Sequence, residues 1–258
     1  MRVAQVSFGL AVAVALSSSC GVFQRDPDRR ESSTRRASAH TAATTPPTAP
    51  RRIVIPAPQG MVADSTHRFS YTSDHISAAI AARVSGSSWR PGCPVPLEQL
   101  RYVRLSYWGF DGLPHTGELI VHADAVGTIA TAFRRMHAAR FRIAKMQLVD
   151  DFGADDDRST QANNTSAFNC RAVTGGGRFS QHSYGRAIDI NPVQNPYVYA
   201  DGNVLDPAAR PYISRSPVRT GMIVDGDVVA TAFSEAGWGW GGNFKSFKDY
   251  QHFSANGG

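Results

Sequence analysis

The stretch Ser180-Gln181-His182-Ser183-Tyr184-Gly185-Arg186-Ala187-Ile188-Asp189-Ile190-Asn191 constrains this chain more than any other. It sets a histidine and an aspartate on either side of a tight Tyr-Gly turn. Beyond the turn, Ala187 to Ile190 alternates with the period of a strand, so Ile188 and Ile190 share one face and Ala187 and Asp189 share the other. Anchoring the isoleucines in a core points Asp189 back toward His182. A second histidine that could close a donor set lies near the C-terminus, in Asp249-Tyr250-Gln251-His252. A His-x6-Asp pair alone is common and says little. With Asp249 and His252 added, the expectation is that His182, Asp189 and His252 hold one zinc ion.

The chain has 258 residues, of which 42% are hydrophobic, enough for a substantial core. Its net charge of +6 points to an acidic partner such as nucleic acid, anionic lipid or an anionic wall polymer. Much of the charge comes early, at Arg25, Arg29, Arg30, Arg35, Arg36, Arg51 and Arg52. No basic helix with interleaved aromatics follows, so nucleic acid is not expected as a partner.

The N-terminus reads as an export signal over residues 1–20. Arg2 supplies a short positive region, and a mostly apolar run from Val3 to Leu16 follows, too short for a comfortable membrane span. Ser17-Ser18-Ser19-Cys20 resembles a bacterial lipoprotein cleavage site, which would make Cys20 the lipidated residue. The departure is Ser17, where that motif usually has leucine. Residues 21–58, rich in Ser, Thr, Ala, Pro and Arg, cannot bury enough apolar surface to offset their ordering entropy and read as a tether. The expected localisation is extracytoplasmic, secreted or lipid-anchored at the outer face of a bacterial membrane and associated with the cell wall.

Residues 59–258 read as one globular domain. Helical spacing is expected from Asp74 to Val84, a loop over Trp89–Pro96, and strands at Arg101–Trp108 and Glu118–His122, with turns at Asp111-Gly112 and His115-Thr116-Gly117. Ala123–Arg140 is the clearest helix, with Val126, Ile129, Ala130, Phe133 and Met136 at helical spacing. A strand is expected over Ile143–Val149 and an acidic loop over Asp150–Asn164. The run Asp155-Asp156-Asp157 in that loop lacks the glycine and distal glutamate of a calcium site and reads as solvated. Residues 191–219 read as irregular. A helix starting at Asp227 and stopping at Gly237 is expected next, then a Gly-Trp loop, Trp238–Gly242, feeding the segment that carries His252. This mixture gives an α+β fold class.

Outside the cytoplasm paired cysteines are usually bridged, and Cys93 and Cys170 are the two in the globular part, so a Cys93–Cys170 disulfide is expected. Two histidines and a carboxylate suit zinc, and a hydrolytic zinc site keeps one position open for water. Such chemistry also needs a carboxylate to carry the proton to the leaving amine and a cation near the developing oxyanion. Asp249, in the same short segment as His252, is the candidate base, and Arg171, just upstream of the central stretch, the candidate cation. Ser180 and Tyr184, beside the first ligand, and Trp238 and Trp240 are candidates for contacting substrate, with simple packing as the alternative.

Ser180-x-His182-x-x-Gly185-x-Ala187-x-Asp189, with Trp240-Gly241-Gly242 and Asp249-x-x-His252-Phe253 downstream, resembles the D-alanyl-D-alanine carboxypeptidase family of zinc peptidases. That family includes vancomycin-resistance carboxypeptidases and L-alanyl-D-glutamate endopeptidases. The resemblance implies that His182, Asp189 and His252 bind zinc and that Asp249 is the general base, with aspartate there looking like the endopeptidase branch. It also implies an oxyanion-stabilising arginine, for which Arg171 fits better than Arg158. The implied fold is a small hedgehog- or DD-peptidase-like α+β domain, with helices flanking an antiparallel sheet that carries the metal. The implied partner is a peptidoglycan peptide, cut by a DD-carboxypeptidase or an L-Ala–D-Glu-type endopeptidase; a monomer is expected. The alternative from another class is a non-catalytic, zinc-stabilised wall-binding module.

Overall fold

A computed structural model describes residues 68–173 and 176–257. The expected signal segment, the tether and Cys20 lie outside the described residues. Strand β1 (Tyr71–His75) pairs antiparallel with β2 (Leu100–Gly109), which pairs antiparallel with β3 (Pro114–His122). Helix α1 (Ala78–Val84) follows β1. Asp74 and His75 therefore lie in a strand rather than in the expected helix. The helix starts later because the Ser77 hydroxyl caps it, accepting from the Ile80 amide at 3.3 Å. His115, Thr116 and Gly117, expected as a turn, run inside β3. Gly117 serves close approach there, because a Cβ would sit 2.6 Å from the Met146 side chain.

Helix α2 (Val126–Ala138) is led in by a 3-10 turn at Ala123–Ala125 and lays Ile129, Phe133 and Met136 into the core. Strand β4 (Arg142–Ile143) adds to β2 in parallel. The longer strand expected over 143–149 does not form: Met146 makes only an isolated bridge to Thr165, and Val149 begins a 3-10 turn. The acidic segment expected as a loop holds helix α3 (Asp156–Gln161), because the Asp155 carboxylate caps it by accepting from the Arg158 amide at 3.1 Å.

The central stretch forms β5 (Ala187–Asp189), and β6 (Tyr197–Val198) lies in the segment that read as irregular. Helix α4 (Val228–Glu235) is capped by Asp227, whose carboxylate accepts from the amides of Val229 and Ala230. Part of the expected Gly-Trp loop is a strand, β7 (Gly239–Trp240), followed by β8 (Lys248–Asp249) and β9 (His252–Ser254). A second sheet runs β5-β9-β7, and β6 pairs with β8. The described fold is thus α+β, with small antiparallel sheets and short helices.

One core joins the layers. Ile188 and Phe253 from the second sheet, with Ile190 just past β5, pack with Leu105, Leu119 and Val121 of the first and with Phe133 and Phe233 of the helices. Each fully buried side chain of this size contributes about 1.5–3 kcal/mol. A second cluster gathers Val84, Leu100, Ile120, Leu148, Phe168 and Cys170. There the Cys93–Cys170 disulfide is formed.

Candidate metal centre

The register of β5 against β9 builds the centre. Ile188 faces Phe253 and Asp189 faces His252 as direct cross-strand partners. Burying Ile188 and Phe253 therefore fixes both polar residues on one side of the pair. The histidine of the first motif arrives on a 3-10 turn, Gln181–Tyr184, whose N-cap Ser180 accepts from the His182 amide at 3.3 Å. The turn ends on Gly185 at φ 64°, where a Cβ would come within 2.5 Å of the His122 amide nitrogen. Only glycine lets this turn press against the end of β3.

The three donors converge. His182 Nε2 lies 3.2 Å from His252 Nδ1 and 3.2 Å from Asp189 Oδ2, and His252 Nδ1 lies 3.0 Å from Asp189 Oδ1. All three residues are at most 8% exposed. The opposite nitrogen of His182, Nδ1, sits 2.5 Å from the Ala167 carbonyl. A carbonyl can only accept, so Nδ1 carries the hydrogen and Nε2 turns its lone pair into the cluster. Asp189 is held by reciprocal backbone bonds with Ser166. Donors about 2.0–2.1 Å from a tetrahedral ion are about 3.3–3.4 Å from one another, close to the separations here. The set could hold a metal ion, and its two imidazoles and one carboxylate suit zinc.

The electrostatics follow from that crowding. Burial disfavours the imidazolium of His182, but Asp189 more than offsets this and raises its pKa. Burial also works against the Asp189 carboxylate, and His182 and His252 overcome it, holding its pKa well below the carboxylate range. A buried group that wants positive charge beside it is what a cation would satisfy.

Beside the donors opens a cleft of about 230 Å³, lined by His182, Asp189 and His252 and also by Ser180, Arg171 and Asp249. Asp249 reaches it from β8, which places it opposite Tyr197 of β6. Its Oδ1 is buried with no hydrogen-bond partner among the described residues. Burial pushes its pKa up to about 7, a push that His252 opposes and Asp189 and Asp156 reinforce. Gly241 lets this segment close in, since a Cβ there would lie 2.4 Å from the Asp249 carbonyl oxygen.

Of the two candidate arginines, Arg171 borders the cleft, whereas Arg158 is largely exposed and lies beside Asp155 at 3.5 Å. The remaining candidates for substrate contact stand elsewhere. Tyr184 packs on the second core cluster. Trp238 packs at a tilt against Phe233, and Trp240 stacks on Phe253 while its indole N–H donates to the Tyr250 carbonyl at 2.8 Å. These three do not line the cleft.

Residues that the sequence did not single out do line it. Tyr197, Tyr199, Phe244 and Phe247 form an aromatic wall, and Asp156 from α3 brings a carboxylate 2.7 Å from the Arg171 guanidinium. The cap signal of Asp155 before two further acids marks α3 as a helix start and could have flagged Asp156. The aromatic wall comes from segments with no periodicity to read.

Searches of curated proteins and of solved structures returned no match. The sequence model of the D-alanyl-D-alanine carboxypeptidase family matches residues 174–255. That span contains His182, Asp189, Asp249 and His252, the converging donors and the buried carboxylate beside them. Over residues 174–255 the chain therefore matches the D-alanyl-D-alanine carboxypeptidase family of peptidases.

Proposed function

We propose that the protein is an exported zinc peptidase that hydrolyses peptide bonds in peptidoglycan stem peptides. The observation that carries this reading is the convergence of His182, Asp189 and His252 beside the unpartnered buried oxygen of Asp249. His182, Asp189 and His252 would hold the ion. Zinc, when bound, supplies Lewis-acid charge that acidifies a water and polarises the scissile carbonyl. Asp249 Oδ1, with no internal partner to compete, accepts a proton from the attacking water and passes it to the leaving nitrogen. Arg171 offers N–H groups to the carbonyl oxygen as negative charge gathers there. The aromatic wall excludes water along one side of the substrate.

Asp249 also separates this reading from an inert zinc-stabilised module, which has no need of a buried, unpaired carboxylate facing a cleft. Incubation with defined stem peptides followed by mass spectrometry tests it. Cleavage of D-Ala–D-Ala, L-Ala–D-Glu or a crossbridge gives products of different mass, and intact peptide at every time point would contradict the reading. Export by residues 1–20, a tether over 21–58 and lipidation of Cys20 complete the proposal. Labelled fatty acid should enter the expressed full chain and be lost in Cys20→Ser. A secreted, unlabelled chain would leave the signal and remove the anchor.

A further inference from the structure

We infer that Asp156 is a positioning residue for Arg171, fixing its guanidinium at the cleft so that its free N–H groups meet a substrate oxygen. The inference rests on the peptidase reading for the meaning of Arg171, but its geometric part stands alone.

The Arg171 main chain is clamped first. It follows Cys170 of the disulfide, its amide donates to the Ser183 hydroxyl at 2.9 Å, and its carbonyl accepts from the Ser180 amide at 3.0 Å and the Ser183 hydroxyl at 2.7 Å. Ser180 and Ser183 flank His182, so the arginine backbone is tied to the ligand turn. What stays free is the long side chain. Asp156 Oδ2 takes Nη2 at 2.7 Å, and the Ala172 carbonyl accepts from Nη1 at 3.2 Å. A guanidinium is planar, so holding both terminal nitrogens fixes its plane. Nε is left buried with no hydrogen-bond partner among the described residues. A buried N–H without a partner is costly unless a ligand satisfies it.

The neighbours of Asp156 do not share this geometry. Asp155 is spent on capping α3, Arg158 extends into solvent, and Asp157 is exposed. The Asp156–Arg171 pair is also partly exposed, 39% and 27% at the two side chains. Such a pair adds little stability. A role in orientation and a role in stability therefore predict different results.

Asp156→Asn, Asp156→Glu, Arg171→Ala and the double variant Asp156→Asn/Arg171→Ala, made in the full chain and loaded with zinc, test this. Asp156→Asn should lower kcat about 10- to 100-fold, the scale of a misplaced catalytic group, with bound zinc and the urea midpoint unchanged. Asp156→Glu should recover part of the loss, and the double variant should be no slower than Arg171→Ala. The Nε–H signal of Arg171, assigned by its loss in Arg171→Ala, should shift or broaden in Asp156→Asn when followed by nitrogen-15 NMR. Losses that multiply in the double variant, or wild-type kcat in Asp156→Asn, would overturn the inference. Should the parent protein cleave no stem peptide, the peptidase reading fails, and the NMR signal still decides: unchanged in Asp156→Asn, it overturns the positioning role.

Discussion

Asp249 sits where a carboxylate is expensive to keep charged, and two consequences follow at the scale of one residue. First, the proton-carrying role proposed for Asp249 makes Asp249→Asn a catalytic loss: about 10²–10⁴-fold in kcat is expected, with one zinc still bound, measured by peptide hydrolysis alongside metal analysis. Second, protein stripped of metal should show the cost of that burial. With the pKa raised to about 7 from an ordinary value of 3.8, the folded chain keeps a proton that the unfolded chain has lost in this window. Stability then falls as pH rises from about 4 to 7. Metal-free Asp249→Asn should accordingly be more stable than the metal-free parent at pH 8 by a few kcal/mol, and its advantage should vanish toward pH 4. Urea unfolding across that range measures it, and parallel pH profiles for the two proteins would show that Asp249 is not the group responsible.

Elements turn these residues into a site, and two of their joints can be broken separately. Gly241 allows the strand carrying Asp249 to close against the Gly-Trp segment, and a Cβ would meet the Asp249 carbonyl oxygen at 2.4 Å and its Cβ at 2.8 Å. Gly241→Ala should push Asp249 out of line and cost about 10²-fold in kcat while zinc stays bound, because the ligand pairing of β5 with β9 is untouched. The disulfide closes a loop with a sequence separation of 77 residues and braces the Arg171 backbone. Replacing Cys93 and Cys170 by alanine should cost about 2–5 kcal/mol in denaturant unfolding. The sequence made the ligand turn and β5 legible because Ile188 and Ile190 alternate with Asp189, and a period of 2 fixes faces. It made α2 and the Asp227 cap legible for the same kind of reason. It misled at His115–Gly117, where a glycine kept for contact with Met146 looks like a turn glycine. It left Trp238 and Trp240 open, since a tryptophan near a site looks the same whether it packs a core or borders a cleft. The aromatic wall was out of reach, because Tyr197, Phe244 and Phe247 meet only through tertiary packing.

Across the whole molecule the charges are unevenly spread. The chain carries +6, much of it among arginines between positions 25 and 52, while the cleft is bordered by Asp156, Asp157, Asp206 and Asp249 against Arg171. If those arginines hold the chain to an anionic wall polymer, that attachment and the hydrolysis of a small peptide should respond differently to salt. Co-sedimentation with wall fragments should fall as salt rises, while kcat on a short stem peptide changes far less, since screening weakens a contact spread over many charges more than a pair at hydrogen-bonding distance. Equal salt sensitivity of both would place the arginines in the hydrolytic event itself. The most direct test of the central claim is a zinc titration of metal-stripped protein that follows bound metal and stem-peptide hydrolysis together, with His182→Ala as its companion. Hydrolysis should rise in proportion to bound zinc and level off at one ion per chain, and His182→Ala should lose both. Full hydrolysis without zinc, or a His182→Ala protein that keeps its zinc and its rate, would contradict the account.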